Sequence, residues 1–578
     1  MEREYVVTLY RYEDLDQFYE MMETDGGIDG VPHRCVDCVG RVPISLCTHY
    51  RLTEEEASEL ENNPMVAAVE LTHFERGMEP VLSGWTQTSN FSKDGHQQDD
   101  VQWGLYRCIH GENTANWGDI FDPGAFERLL NQTISADAAG RHVDIVISDR
   151  GVRMDHPEFR EFADGTGNLR SVEYNWFQHS SDLGYTTPAT YDYTKDGALD
   201  NSSHGTGVAT IIAGNTNGWA KKANVYSIAL GYSGVSSWSD YMFNYLRTWH
   251  NAKQVNPETG RVNPTIVNMS WGWKSSFTIS GVTSIVYRGN TLDTSSMTDQ
   301  QKIDAFLERG MSYSIMDSGT QIQSIGGSNY FTRVGINECL RDGIIFVWAA
   351  GNEGEIIDTI DGDDWDNYFR HSSSIHNNYY MRGADPGRND SGRSSNVIAV
   401  GNIHNALEGE SVAGIKTSLG NFSARGPGID VFAPGTDIIC GINSAQGYYG
   451  FGNIIIDSRD STHGWGNGSG TSFAAPEVTG VLACALELNP NMTQQDCRQL
   501  LVETSKPNQI FNTTFVGTGI ATTVDSRNLA NAADRYLFYK RRRPDSGVLS
   551  NNNIYSNRQP DSSGVKYPRP RVTITKSI

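Results

Sequence analysis

The stretch Val143-Asp-Ile-Val-Ile-Ser-Asp149-Arg-Gly-Val152 decides the fold. It is a short apolar run that ends in a carboxylate and a glycine turn, which is typical of a buried strand. Between about residues 101 and 530 such runs alternate with helical patterns; they are His142–Ser148, Ala223–Leu230, Thr265–Met269, Gly343–Ala349 and Val397–Val400. Strands buried on both faces that alternate with helices form a parallel sheet. The sequence therefore predicts an α/β fold whose functional residues gather at the carboxyl ends of the strands.

Two further segments place reactive side chains at predicted helix starts. In Asn201-Ser-Ser-His204-Gly-Thr-Gly-Val-Ala209, glycines surround a histidine, and in Gly468-Ser-Gly-Thr-Ser472-Phe-Ala-Ala-Pro476 a serine opens a helix. Free amides at a helix N-terminus bind developing negative charge. A serine hydroxyl becomes nucleophilic when a base takes its proton, and a carboxylate keeps that base in the right orientation. Asp149, His204 and Ser472 are the residue types that this chemistry needs.

These segments, together with Phe346-Val-Trp-Ala-Ala-Gly-Asn352-Glu-Gly354, resemble the signature blocks of the subtilisin family of serine proteases and follow the family's order. The resemblance implies a subtilisin-like catalytic domain in which Asp149, His204 and Ser472 form the triad. It also implies that Asn352 donates to the oxyanion of the transition state. The expected activity is that of a serine endopeptidase that needs no cofactor. The loop over residues 215–224 is most similar to the proteinase K branch.

The substrate site follows from the same resemblance. Val267-Asn-Met-Ser270-Trp-Gly272 resembles the edge strand that pairs with the substrate backbone. The residues predicted to bind the polypeptide substrate are Ser270, Trp271, Gly272, Ala350 and Gly351. None of them is charged, so we expect broad specificity with a preference for an apolar or aromatic residue before the cut.

The N-terminal residues 1–75 predict a separate small α+β, ferredoxin-like domain. Apolar periodicity gives the order β-α-β-β-α-β, with a capping box from Thr53 to Glu56. This domain is similar to the family's inhibitory propeptide, so we expect a zymogen. Residues 76–100 read as a linker with a processing site near Met78, residues 101–533 as the peptidase domain and residues 534–578 as a C-terminal extension.

Composition limits the partners. The 578 residues contain 46 Lys and Arg against 69 Asp and Glu, which gives a net charge of −23. This negative charge disfavours binding to the phosphate backbone of a nucleic acid. No run is long enough to span a membrane, and the charged start of the chain does not read as a secretory signal. We therefore expect reduced thiols and an intracellular or virus-particle-associated protein. The alternative is a structural or binding protein of a virus particle or other assembly, which keeps the fold and uses its long loops and C-terminal tail as assembly surfaces.

Two groups of side chains in the sequence contain possible metal ligands. Asp361, Asp363 and Asp366, with Asp358 and Asp364 between and beside them, offer hard oxygen ligands for calcium; the alternative is a solvated acidic loop. Zinc at Cys35, Cys38, Cys47 and His49 is disfavoured, because positions three apart on a strand face opposite sides.

The chain departs from the family pattern in two places. Arg150 follows the predicted catalytic aspartate, where the family has Ser or Thr, and we expect its guanidinium to point to solvent. The connections Lys274–Asp342 and Glu355–Ser394 are longer than usual in the family. Long loops around a cleft commonly serve as lids, substrate selectors or partner surfaces.

Overall fold

Two units, Met1–Leu82 and Ser83–Ile578, make up the chain in the computed structural model. The structure describes residues 2–33, 38–40, 46–71, 85–89, 104–105, 108, 132–185, 203–230, 238–272, 275–309, 314–316, 319–324, 330–352, 357–358, 362–365, 367–380, 397–403, 417–418, 423–424, 426, 428–442, 452–505, 510–511, 515–517, 520–522 and 572–576.

The first unit is a four-stranded antiparallel sheet with two helices, as predicted. Its elements are β1 (Arg3–Leu9), α1 (Leu15–Glu23), β2 (Cys38–Gly40), β3 (Cys47–Leu52), α2 (Glu54–Glu61) and β4 (Val66–Leu71). The sheet order β2-β3-β1-β4 is that of the ferredoxin-like arrangement. The capping box is present: the Glu56 amide donates to Thr53 Oγ1 at 3.2 Å, and the Thr53 amide donates to the Glu56 carboxylate at 2.9 Å. Phe18, Leu52 and Leu60 lie in the core of this unit.

The second unit contains the remaining elements. Its strands up to residue 324 are β5 (Trp85–Ser89), β6 (Gln132–Ala136), β7 (Asp144–Asp149), β8 (Ser171–Val172), β9 (Asn224–Ala229), β10 (Thr265–Met269), β11 (Ser275–Thr278), β12 (Val282–Tyr287), β13 (Asn290–Asp293), β14 (Ser314–Met316) and β15 (Gly319–Ser324). The later strands are β16 (Ile345–Ala349), β17 (Tyr368–His371), β18 (Ser374–Tyr380), β19 (Ile398–Ile403), β20 (Thr417–Ser418), β21 (Val431–Pro434), β22 (Ile438–Ile442), β23 (Gly452–Ile456), β24 (Gly464–Gly468), β25 (Ile510–Phe511), β26 (Phe515–Gly517), β27 (Ile520–Thr522) and β28 (Val572–Lys576). The described helices are α3 (Ser180–Leu183), α4 (Ser203–Ala213), α5 (Trp238–Ala252), α6 (Asp299–Glu308), α7 (Tyr330–Arg341), α8 (Thr471–Leu488) and α9 (Gln494–Thr504).

A parallel sheet of seven strands forms the centre of this unit, in the order β21-β19-β16-β10-β7-β9-β8. The five apolar runs of the sequence are five of these strands, which confirms the predicted α/β class. Every residue of β7, β10, β16 and β19 is buried. Burial on both faces explains why these strands are continuous apolar runs without alternation.

Helix α8 is the most enclosed helix of the site region. Residues 471–486 are buried without a break, and the helix packs against α4 and against strands β10, β16, β19 and β21. Because neighbours surround it, the helix has no polar face. Its first turn is thereby held against the carboxyl ends of the central strands.

The two long connections flanking β16 fold together into one module. Strand β12 of the first connection pairs with β17 of the second, within the sheet β13-β12-β17-β18. Ile285, Phe306 and Phe369 belong to a separate apolar core. Arg288 of the first connection donates to both oxygens of Asp364 in the second, at 2.8 and 2.7 Å. The connections predicted as loops therefore form a joint folded insertion.

A three-stranded sheet joins both ends of the second unit. Strand β6 is central and pairs antiparallel with β5 on one side and with β28 on the other. Strand β5 lies inside the stretch 76–100 that was predicted to be a linker, and β28 ends the predicted extension. The linker prediction is therefore wrong for residues 85–89, because a polar strand such as Trp85–Ser89 has no apolar run to mark it.

Within the described ranges, no helix combines the length and hydropathy that a membrane span requires. The cysteines whose side chains are described are Cys108, Cys339, Cys440, Cys484 and Cys497; all are buried, and none of these five is in a disulfide.

Candidate active site

Asp149 ends strand β7 at the carboxyl edge of the central sheet. Its side chain is buried, with 2% exposed. The amide of Arg150 donates to Asp149 Oδ1 at 2.7 Å, and the Arg150 residue is exposed, as expected from the sequence. The carboxylate is thus held by the turn that follows the strand.

His204 is the second residue of α4 and faces this carboxylate. Its Nδ1 lies 2.8 Å from Asp149 Oδ1 and 3.0 Å from Oδ2. The close approach requires glycine at position 205, since a Cβ there would lie 2.2 Å from the carbonyl oxygen of Gly151. The glycine beside the histidine in the motif therefore lets the helix start meet the end of β7.

The pKa of His204 is raised above its usual value. Burial lowers it, but the charge of Asp149 and the hydrogen bond to that carboxylate raise it by more, while the positive charge of Arg150 opposes the rise. The partly exposed imidazole (27% of the side chain) is therefore poised to accept a proton and to hold it beside Asp149.

Ser472 stands in the first turn of α8, and its residue is 9% exposed. The next residue, Phe473, packs edge-to-face on the His204 ring with 5.5 Å between ring centres. Ser472 Oγ donates to the carbonyl oxygen of Ser270 at 3.1 Å. A hydroxyl has one proton to give, so proton transfer to His204 requires Ser472 to rotate from this resting position.

Asn352 lies just beyond the end of β16 and is attached to the same helix start. The amide and the hydroxyl of Thr471 both donate to Asn352 Oδ1, at 2.7 and 3.0 Å. Gly470 has φ +131°, and a Cβ there would come within 3.1 Å of the Asn352 carboxamide. With Oδ1 engaged by Thr471, the Nδ2 group is the donor end of this side chain.

Three of the predicted substrate-binding residues, Ser270, Trp271 and Gly272, follow strand β10, the neighbour of the strand that carries Asp149. Ser270 is 4% exposed, Trp271 is half-buried and Gly272 is exposed. The indole of Trp271 donates to Ser148 Oγ at 3.1 Å. Trp271 is therefore anchored beside the strand that carries Asp149, and its contact with substrate remains a prediction.

The backbone after β16 is bound within the protein. The Ala350 amide donates to the Val400 carbonyl at 2.9 Å, and the Gly351 carbonyl accepts from the Ala424 amide at 2.9 Å. The Gly351 amide donates to Thr471 Oγ1 at 3.1 Å. These bonds fix the wall on which Asn352 stands, and substrate binding by Ala350 and Gly351 also stays a prediction.

The described members of the acidic cluster are engaged or exposed. Asp358 accepts a hydrogen bond from the Asp364 amide at 2.9 Å, Asp364 is paired with Arg288, and Asp363 is exposed. Asp361 and Asp366 lie outside the described residues, so calcium binding there is a prediction that has not been tested. Over the described part of the chain, no three His, Cys, Asp or Glu residues are grouped as a metal site.

The four cysteine and histidine candidates for zinc are described only in part. His49 Nδ1 lies 2.8 Å from Glu4 Oε1. Cys35, and the side chains of Cys38 and Cys47, lie outside the described residues.

Two residues of the site were missed from the sequence. Thr471 joins Asn352 to the helix, but in the sequence it lies between Gly470 and Ser472, which draw more attention. Asn268 is a polar residue inside an apolar strand and is 0% exposed. A buried amide needs hydrogen-bond partners, and this rule was the signal that could have identified it.

The family model for the subtilase family matches residues 140–532, more than half of the chain. The chain belongs to the subtilase family. The matched region of this subtilase contains Asp149, His204, Asn352 and Ser472. The placement in the proteinase K branch remains a prediction.

Curated relatives and a solved structure resemble this subtilase at low identity. It is 22% identical over 407 residues to the subtilase-type proteinase RRT12 of Saccharomyces cerevisiae, covering 68% of this chain and 56% of the relative. It is 24% identical over 399 residues to alkaline protease 2 of Aspergillus fumigatus, covering 69% of this chain and 53% of the relative. The chain thus spans about half the length of these relatives. A cold-adapted subtilisin-like serine proteinase aligns with TM-score 0.37 and 19% identity, over 69% of this chain and 89% of that one.

Proposed function

We propose that this subtilase is a serine endopeptidase that hydrolyses polypeptides through Asp149, His204 and Ser472. The observation that carries the proposal is the hydrogen bonding of His204 Nδ1 to the buried Asp149 carboxylate, at 2.8 and 3.0 Å from its two oxygens. The same imidazole contacts Phe473, the residue that follows Ser472. This pairing supports the tautomer with its proton on Nδ1, which leaves Nε2 as the base.

In the proposed reaction, Ser472 Oγ attacks the peptide carbonyl and passes its proton to His204 Nε2. The carbonyl oxygen becomes negative, and the Asn352 Nδ2 group with the Ser472 amide stabilises it. His204 then protonates the departing amine as the tetrahedral intermediate collapses to an acyl-enzyme. Water, deprotonated by His204, attacks the ester carbon, and the acid product leaves as the proton returns to Ser472.

A fluorophosphonate probe tests this proposal, because it labels a serine only when a neighbouring base activates it. We expect labelling of the wild-type chain, none with Ser472→Ala and a strong loss with His204→Ala. Ser469→Ala is the matched control, because Ser469 is an exposed serine three positions before Ser472. This variant should be labelled as strongly as wild type. Absence of labelling in wild type, both in the intact and in any processed form, would refute the activity.

We further propose that residues 1–75 act as a propeptide that the chain removes by its own activity. The separate ferredoxin-like unit supports this proposal. Strand β4 ends at Leu71 and β5 begins at Trp85, so the cut is expected between them, which includes the predicted position near Met78. Intact-mass analysis should find a wild-type product that begins within residues 72–85 and a full-length Ser472→Ala chain. Equal, uncut masses would show that the first unit is a permanent domain.

A further inference from the structure

A polar residue, Asn268, is enclosed within the central sheet. Asn268 belongs to β10, is 0% exposed, and is paired with Ile147 on one side and Val347 on the other. A carboxamide in such surroundings costs stability unless both of its ends are hydrogen-bonded. Both ends of the Asn268 carboxamide have partners: Ser270 at one end, and at the other end Thr479, on the helix that carries Ser472.

Asn268 connects helix α8 to Ser270. Thr479 Oγ1 on α8 lies 2.8 Å from Asn268 Oδ1, and Asn268 Nδ2 lies 2.9 Å from Ser270 Oγ. Ser270 Oγ in turn donates to the carbonyl oxygen of Ser472 at 2.8 Å. The side chains form a continuous buried chain from Thr479 to the backbone of Ser472.

Pro476 explains why the Ser472 carbonyl needs this donor. In a helix the carbonyl of residue 472 accepts from the amide of residue 476, but proline has no N–H. The Ser270 hydroxyl takes the place of the missing amide. It can do so only when its proton points at Ser472, and then its oxygen must accept from Asn268.

This requirement also fixes the orientation of the Asn268 carboxamide. Its NH₂ group faces Ser270 and its oxygen faces Thr479. In the flipped orientation the oxygen would draw the Ser270 proton toward itself and leave the Ser472 carbonyl without a donor. The amide is therefore the group that decides where the Ser270 proton goes.

We propose that Asn268 is a positioning residue for the nucleophile: it directs the Ser270 hydroxyl to the Ser472 carbonyl and so holds the main chain of Ser472 in place. The bond from Ser270 Oγ to the Ser472 carbonyl does not involve Ser472 Oγ. The Ser472 hydroxyl can therefore leave the Ser270 carbonyl and turn to His204, while the Ser472 amide keeps its direction toward the oxyanion. The inference rests on the proposed peptidase function.

The variant N268D tests the direction of the proton. The new carboxylate accepts hydrogen bonds but cannot donate, so it draws the Ser270 proton away from Ser472. We expect kcat at pH 8 to fall by about tenfold or more with little change in KM, the size of one lost hydrogen bond. Protonation of the new, buried carboxyl group at lower pH restores a donor, so the ratio of wild-type to variant kcat should narrow as pH falls.

A second set of variants keeps the test open if N268D does not fold. N268A should lower kcat as S270A does, and N268A/S270A should be no slower than S270A alone, because Asn268 acts through Ser270. Thr294→Val is the matched control: it removes a buried threonine bond, 3.0 Å to the Val282 carbonyl, in the inserted module and should leave kcat unchanged.

The outcomes separate the two proposals. Two results would overturn the positioning role while the peptidase function stands, provided that wild type takes the fluorophosphonate label. One is an unchanged kcat in N268A. The other is a loss of kcat in N268A/S270A equal to the product of the losses in the two single variants. A constant kcat ratio for folded N268D across pH also overturns the role. Failure of wild type to label removes the proposed function itself.

Discussion

Thr471 holds Asn352 by two hydrogen bonds to one oxygen, from its amide at 2.7 Å and from its hydroxyl at 3.0 Å. The same hydroxyl accepts from the Gly351 amide at 3.1 Å. The end of β16 and the start of α8 are thereby joined at the point where the proposed oxyanion is stabilised. The precision of that donor depends on a residue that takes no part in the chemistry.

Removal of the oxyanion donor should affect turnover rather than binding. Asn352→Leu should lower kcat by roughly 10²–10³-fold, the range found for loss of one such donor in subtilisin, with little change in KM. Thr471→Val removes one of the two bonds to Asn352 and should lower kcat by about tenfold, whereas Thr471→Ser keeps the hydroxyl and should stay near wild type. Steady-state kinetics on a peptide ester checks both. A change confined to KM would contradict the role of Asn352.

Arg150 should tune the acid limb of the pH profile. His204 acts as a base only when neutral, so activity falls as pH drops through its raised pKa. The charge of Arg150 lowers that pKa, so Arg150→Gln should raise it and move the acid limb to higher pH, by roughly 0.2–0.5 unit for an exposed charge. The shift should shrink in 1 M salt, which screens exposed charges. A downward shift in kcat/KM profiles would show that the arginine acts otherwise.

Glu477 should make folding stability depend on pH. Burial raises the pKa of this carboxyl to about 8 from 4.5, although the Trp219 indole donates to it and lowers the pKa in part. The folded chain then keeps a proton that the unfolded chain releases, so stability should decline as pH rises from about 4.5 to 8, by about 1.4 kcal/mol per unit. Glu477→Gln should flatten this slope in urea unfolding, and the exposed Glu308→Gln should leave it unchanged. Parallel slopes in wild type and Glu477→Gln would count against a neutral Glu477.

The C-terminal strand should protect β6. All five residues of β28 pair with residues 132–136. Deletion of residues 572–578 should speed hydrogen exchange of the amides in 132–136 by roughly tenfold or more. Deletion of residues 577–578 alone leaves the pairing intact and serves as the control. A synthetic peptide of residues 570–578 added to the shorter chain should restore the protection; unchanged exchange after the long deletion would show that β28 does not cover β6.

Specificity should favour an apolar or aromatic residue before the cut, because Ser270, Gly272, Ala350 and Gly351 provide no charge for a basic side chain. Digestion of a peptide library should show this preference. Cleavage chiefly after Lys or Arg would point instead to the inserted module. In that case Asp363→Asn, which changes an exposed residue, should weaken the preference.

The core of the fold could be predicted from the sequence because a strand that is buried on both faces is a run of consecutive apolar residues. Strands β7, β10, β16 and β19 are largely apolar runs; Asp149 is the last residue of β7, and Asn352 lies three residues after the end of β16. The first unit was equally legible, since helix periodicity and the box at Thr53 are local patterns. The order of the motifs along the chain is sufficient to indicate the candidate triad.

Tertiary structure alone decided the partnerships between distant segments. Asn268 and Thr479 are 211 positions apart, and nothing local in either segment tells which of the two will meet the other. The joint module, built from connections on both sides of β16, and the pairing of β28 with β6 likewise depend on strand edges that meet only after the chain folds. Composition shows that a residue must be buried or paired, whereas the identity of its partner is set by the packing of the whole unit.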